Sequence, residues 1–140
     1  MDKLISWMIS AIIVMAIMFW LNPDLMGSSR DDTDRISQAF QAKKSNIVVE
    51  VGGEVAANLP DIEDNAVYQQ FILQLNSNHL VIVSHNTDLS PPVPVGPGSH
   101  VRVRGEYDWT PEGGLIHWTH SDPSGVREGG WIETHGDRYD

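Results

Sequence analysis

The sequence predicts a small, mostly β domain behind a single membrane-spanning helix, and three observations predict it. The first 22 residues hold a long uncharged apolar run, the rest alternates apolar and polar side chains in short stretches, and glycine and proline cut those stretches apart. The architecture expected is a small five-stranded OB-like barrel with one short N-terminal helix.

Leu4 to Leu21 reads LISWMISAIIVMAIMFWL, free of charge and with Ser6 and Ser10 as its polar side chains. About 18 residues rising about 1.5 Å each nearly span a hydrocarbon layer of about 30 Å. Trp7 and Trp20 stand towards the two ends, where amphipathic rings favour the interface. Asn22-Pro23 stops the helix, because proline disfavours helical geometry in the residue before it. Residues 1–22 are therefore expected to be an uncleaved signal anchor. Cleavage after Gly27 is the alternative. Signal peptides, however, carry a shorter apolar stretch of about 7–15 residues and small residues at the cut, and the exit Asn22 to Ser29 has no clean A-x-A pattern. A buried core helix fits less well, since the run is apolar on every face.

Lys3 and the amino terminus precede the span, while Asp24, Asp31, Asp32 and Asp34 follow it with only Arg30 and Arg35. The positive-inside rule then keeps the N-terminus in the cytoplasm. The expected location is the inner membrane, single-pass, with the domain on the periplasmic or extracytoplasmic side. Residues 23–33 read as a linker and residues 34–140 as the domain.

Thr33 or Asp34 caps a helix running to about Lys44, with Ile36, Ala39, Phe40 and Lys43 on one narrow stripe. Ile47, Val49 and Val51 alternate with Val48 and Glu50, and Gly52-Gly53 bends that strand before Val55. Phe71, Leu73 and Leu75 mark a second strand, Asn76-Ser77-Asn78 a turn, and Leu80–Val83 a third strand. Ser90 to Gly98 holds four prolines, which lack donors, so it reads as a rigid crossing loop in place of the usual helix. In the fourth strand Val101, Val103, Gly105, Tyr107 and Trp109 face one way, and Arg102, Arg104, Glu106 and Asp108 the other. Thr110 to Gly114 turns the chain into a fifth strand, Leu115–Trp118. Strands one to three form a meander and strands four and five a hairpin.

The whole chain has 19 acidic and 9 basic residues. Asp2 and Lys3 cancel within the anchor, so the outer domain carries the full net charge of −10. General nucleic-acid binding uses Lys and Arg to displace counterions, so this balance disfavours nucleic acid as a partner. Its plainest role is to keep the domain soluble. There is no cysteine. That excludes disulfides, thiol catalysis, cysteine zinc sites and a lipidated cysteine anchor.

All six histidines fall in the last 62 residues: His79, His85, His100, His117, His120 and His135. Imidazole is the commonest neutral metal ligand and a general base near neutral pH. The candidate pocket is His85, Asp88, Glu106, His117, Trp118, His120, Asp122 and Trp131. No cofactor is expected; the alternative is a divalent metal held by His85, His117 and His120. On a continuing strand His117 and His120 point to opposite faces, so they converge only if the strand ends near Trp118. Asp122-Pro123-Ser124-Gly125 is a strong turn that could break it. The competing reading is structural: His117 bonds a backbone carbonyl, His120 and Asp122 brace the turn, and Trp109, Trp118 and Trp131 fill the core. No nucleophile motif stands out.

In order, AFQAKKSNIVVEV, YQQFILQL, SHNTDLSPPVPV, RGEYDWTPEGGLIHWTHSDPSG and GGWIETHG resemble a family of small bacterial envelope proteins catalogued as domain of unknown function 3465. The likeness runs from about Ile36 to Tyr139. It implies an architecture and no activity. Members often carry a histidine directly after the HWTH block and another after the Pro-Ser-Gly turn; this chain has Ser121, and Val126 or Arg127, in those places.

The function expected is a membrane-anchored extracytoplasmic binding module. Its partners would be the membrane, through the N-terminal helix, and a small ligand, peptide, oligosaccharide or protein. The alternative is a metal-assisted hydrolase, nuclease-like in one version, built on the His-rich region with Asp122 or Glu106 as base. A scaffold without a small-molecule site is the third reading. The uncharged run from Leu4 to Leu21 generates one prediction. The intact chain, Met1 included, should pellet with membranes and stay there through a high-salt wash; its recovery in the supernatant would remove the anchor.

Overall fold

In a computed structural model of the chain, Ile13 and residues 30–140 are described. The predicted anchor, Ile13 apart, and most of the linker lie outside the described residues. No helix among the described residues is long and apolar enough to cross a membrane.

A compact unit runs Asp31–Asp140, and its stretch before the helix is fastened to the sheet. The Asp32 amide donates to the Glu50 carbonyl at 2.8 Å, and the Glu50 amide donates to Asp32 Oδ2 at 2.9 Å. Helix α1 then runs Thr33–Gln41 with Asp32 at its N-cap position. The cap expected from Thr33 or Asp34 is supplied instead by Asp31, whose Oδ1 accepts the Thr33 amide at 3.0 Å. The Thr33 hydroxyl and amide hold the Asp31 carboxyl below its ordinary range. Ile36 and Ala39 enter the core, and Phe40 meets the His79 ring edge-on at 5.1 Å.

Seven strands follow among the described residues: β1 Ile47–Glu63, β2 Val67–Leu75, β3 Leu80–Asn86, β4 His100–Asp108, β5 Leu115–His117, β6 Trp131–Thr134 and β7 Asp137–Tyr139. The sheet order is β1-β2-β3-β5-β4-β6-β7, and β1 also pairs with β4. Strands β1, β2, β3, β5 and β4 therefore close a ring. The expected meander and hairpin are both present, antiparallel, and the closing pair β3–β5 is parallel.

Strand β1 is far longer than its sequence pattern implied and serves two neighbours in succession. Ile47 to Glu54 pairs with Tyr107 to His100, and Gly53 to Glu63 pairs with Leu75 to Val67. The hand-over falls at the glycine bend. A Cβ on Gly53 would collide with the Gln74 carbonyl, so only glycine lets the two strands approach there. Register shifts after Val55 and Leu59 curl the strand further.

Alternation in each strand delivers one face to the core: Val49, Val51 and Val55; Phe71, Leu73 and Leu75; Val81 and Val83; Val101, Val103 and Tyr107; and Ile116. The Pro-rich segment is a loop, as expected. It is pinned by Gln69, whose amide donates to the Val93 carbonyl at 2.7 Å and accepts the Val93 amide at 2.8 Å. Strands β6 and β7 were not foreseen. They form a hairpin whose turn residues, His135 and Gly136, both have positive φ, and they bury Ile132 and Thr134.

Tyr107 is fully buried, and its hydroxyl donates to the Gly113 carbonyl at 3.0 Å. Trp109 departs from the expected core face because β4 ends at Asp108; its ring is only half-buried. Tyr107→Ala should destabilise by about 3–5 kcal/mol, and Trp109→Ala by roughly half that, since less area leaves water. Chemical denaturation of both variants checks this ordering, and a larger loss at Trp109 would contradict it.

Candidate functional site

The histidines that cluster in sequence take different roles in the fold. His85 ends the inward face of β3 and is fully buried. Its Nε2 lies 3.1 Å from the Pro91 carbonyl and its Nδ1 lies 2.8 Å from Thr119 Oγ1. A carbonyl can only accept, so Nε2 carries the hydrogen and Nδ1 accepts from the Thr119 hydroxyl. Both nitrogens are thereby used, and His85 fastens the Pro-rich loop to the segment after β5. Burial pushes its pKa below the ordinary imidazole value, and the nearby His120 imidazole pushes the same way.

Strand β5 stops at His117, and Trp118 has φ 55°. The break expected near Trp118 is there, but it does not bring His117 and His120 together. The His120 ring is buried, donates from Nδ1 to the Ser121 carbonyl at 2.8 Å and packs on Trp118 at 4.8 Å. Asp122 braces the turn: its carboxylate accepts the amides of Ser124, Val126 and Arg127 and the Ser124 hydroxyl. The Arg127 amide, followed by the Ser124 hydroxyl, lowers its pKa. Asp88 lies on an exposed turn and accepts the Val67 amide at 3.2 Å. The Trp131 ring lies under the Arg138 guanidinium at 4.5 Å. Of the expected pocket residues, Glu106 and His117 are cross-strand partners and Trp118 packs on His120, while the acid and histidine group that converges among the described residues does not include His85 or His120.

A different group does converge. Glu106 and Asp108 stand two apart on the outer face of β4, and His117 is the direct cross-strand neighbour of Glu106. Among the described residues, the ligand atoms of Glu106, Asp108 and His117 all lie within 4.8 Å of one another. His117 Nε2 donates to Asp108 Oδ2 at 2.6 Å, and Asp108 Oδ1 accepts the Asn46 amide at 3.1 Å. Arg127 donates to Glu106 Oε2 at 2.7 Å, while its guanidinium covers the Trp118 ring at 4.4 Å. Asp108 was not among the expected site residues. The alternation of β4 already put it beside Glu106, but the register across the Thr110–Gly114 turn, which brings in His117, is invisible in the sequence.

A second feature is an open groove of about 680 Å³ on the outside of the β1 bend. Gly52 and Gly53 form its floor, Gln74, Asn76 and Asn78 one wall, and Arg102 and Glu133 lie on the other side. Sequence reasoning saw those glycines as a bend and gave no hint of a groove, because the opposite wall comes from the unforeseen β6–β7 hairpin.

A family model described as Protein of unknown function (DUF3465) matches residues 13–140. The chain belongs to this family. No curated protein and no solved structure matches it.

The buried His85 generates a pH prediction. Its folded pKa lies below the unfolded imidazole value of about 6.5. As pH falls below about 6.5 the unfolded chain takes up the proton first, so the stability that neutral His85 contributes is complete above that pH and declines below it. The difference in melting temperature between wild type and His85→Gln should narrow from pH 7.5 to pH 5.5. A constant difference would mean that His85 does not titrate in this way.

Proposed function

We propose that this chain is a membrane-anchored extracytoplasmic binding module of the OB type, and that its ligand lies in the groove over Gly52 and Gly53. The strand order is the support for the fold type. Ring closure through β1–β4 and the parallel β3–β5 pair correspond to a five-stranded Greek-key barrel, with a Pro-rich loop where a helix commonly joins strands three and four. The uncharged N-terminal run supports the anchor, and the charge that follows it supports the outward placement.

The observation that carries the reading is the bare backbone at the bend. Gly52 and Gly53 carry no side chains of their own. What lies against Gly52 on the outer face is the Arg102 side chain, so an extended polar ligand that moves this side chain aside can approach the main chain closely. The amide groups of Gln74, Asn76 and Asn78 offer donors and acceptors along one wall. The groove carries Glu54, Arg102 and Glu133, and the surplus of acid in the domain favours neutral or cationic ligands. Oligosaccharides and cationic peptides fit those terms; a phosphate backbone does not.

The test is chemical-shift mapping on the full isotope-labelled chain in micelles, titrated with soluble cell-wall oligosaccharides and with cationic peptides. Perturbed amides should gather at residues 52–54, 74–78 and 133–136. Asn78→Trp, which fills the groove, should weaken the binding at least tenfold. Perturbations gathered elsewhere, or binding indifferent to Asn78→Trp, would reject the groove as the site.

A further inference from the structure

We propose that Glu106, Asp108 and His117, brought together across the β4–β5 hairpin, form a binding site for a first-row divalent cation such as Zn²⁺ or Mn²⁺. Their ligand atoms already lie within 4.8 Å of one another. Ligands about 2.0–2.2 Å from a shared ion stand roughly 3.5 Å apart, so rotation of two half-buried carboxylates closes the gap without moving the backbone. The backbone itself is fixed. Glu106 and His117 are Cα partners in the sheet, and Asp108 follows on the same outer face of β4.

The donor set selects the ion. One imidazole nitrogen with two carboxylate oxygens suits borderline cations, whereas Ca²⁺ prefers oxygen alone. One of the three ligands is already oriented from behind, as ligands in metal sites are: the Asn46 amide holds the far oxygen of Asp108. Three protein ligands leave coordination positions for water.

Without a cation, the hydrogen on His117 Nε2 bridges to Asp108. On binding, that hydrogen exchanges through solvent to Nδ1, and Nε2 takes the cation in its place. Positive charges near the cluster include Arg127, paired to Glu106, Arg104, two residues before Glu106 on the same face and paired to Glu50 and Glu128, and Lys43, which lies over the ring of the adjacent Trp109 at 5.5 Å. Arg127 is the direct competitor. Its side chain is half-exposed and rests on Trp118, so it can keep that contact while releasing one carboxylate oxygen.

The test uses the full chain in detergent micelles, stripped of metal and titrated separately with ZnCl₂ and MnCl₂ by calorimetry, with melting temperature followed in parallel. One equivalent should bind and raise the melting temperature. His117→Gln and Asp108→Asn should each weaken it at least tenfold, while replacement of the exposed His100 or His135 should leave it unchanged. Equal affinity in wild type, His117→Gln and Asp108→Asn would overturn the proposal, as would loss of binding with His100 or His135. Arg127→Ala keeps all three ligands and removes the competitor, so it should tighten binding severalfold. An unchanged or weaker affinity in that variant overturns the proposal even where a ligand variant fails to fold. The cluster shares no residue with the groove, so failure of a ligand variant leaves the groove reading standing.

Discussion

The double pairing of β1 is the constraint on which the rest of the domain depends. One strand hydrogen-bonds first to β4 and then to β2, and it can do so only by bending at a place where β2 comes within reach of its bare backbone. A side chain on Gly53 would strike the Gln74 carbonyl, and β2 would be pushed away at the point of hand-over. Ring closure follows from that bend. So does the enclosure of Tyr107, Phe71 and His85, none of which a flat sheet of the same strands would cover on this scale. The groove runs along the same bend, with Gly52 and Gly53 themselves in its lining.

Most of the ring was legible in the sequence, because period-two alternation is a strong signal wherever one face meets a core. Val101, Val103 and Tyr107 are buried as the pattern required, and the prolines kept residues 90–98 out of the sheet. The outer half of β1 was not legible. Its side chains from Ala56 to Glu63 are mostly exposed, so no alternation betrays it, and Pro60 argues against a strand although it sits beside a register shift that tolerates it. The β6–β7 hairpin was missed because its two-residue turn is His135-Gly136, where Asn-Gly or Asp-Gly is the recognisable form. Trp109 was misplaced for a related reason: the alternation continues one residue beyond the last ladder position.

The His-rich region shows how neighbourhood in sequence and neighbourhood in space part company. His85 was singled out for its chemistry and is spent on architecture, tying a loop of prolines, poor in amide donors, to Thr119. Asp122 is spent on four hydrogen bonds within its own turn. Of the three histidines expected as metal ligands, His117 alone is grouped with carboxylates, and those carboxylates come from β4, whose polar positions read as an ordinary solvated face. Paired strands place residues nine or eleven positions apart side by side, and that arithmetic depends on the turn between them. Gly114, with φ 111° against the Tyr107 ring, sets the turn, and its consequence for register cannot be read from composition.

The ring has one seam unlike its others. Strand β5 is three residues long and meets β3 through only two register pairs, Ile82 with Leu115 and Val83 with Ile116. Every other junction in the ring joins antiparallel strands, and the hairpins among them bring together segments adjacent in the chain. The seam instead joins segments about thirty residues apart, so its formation bears a loop-closure cost that the hairpins do not. Folding should therefore assemble two sub-structures, β1–β3 and β4–β5, that join late, along β1–β4 and along this line. In the native state the same line is where the ring of hydrogen bonds is thinnest. Amide exchange at Leu115 to His117 should report its opening well below the free energy of global unfolding.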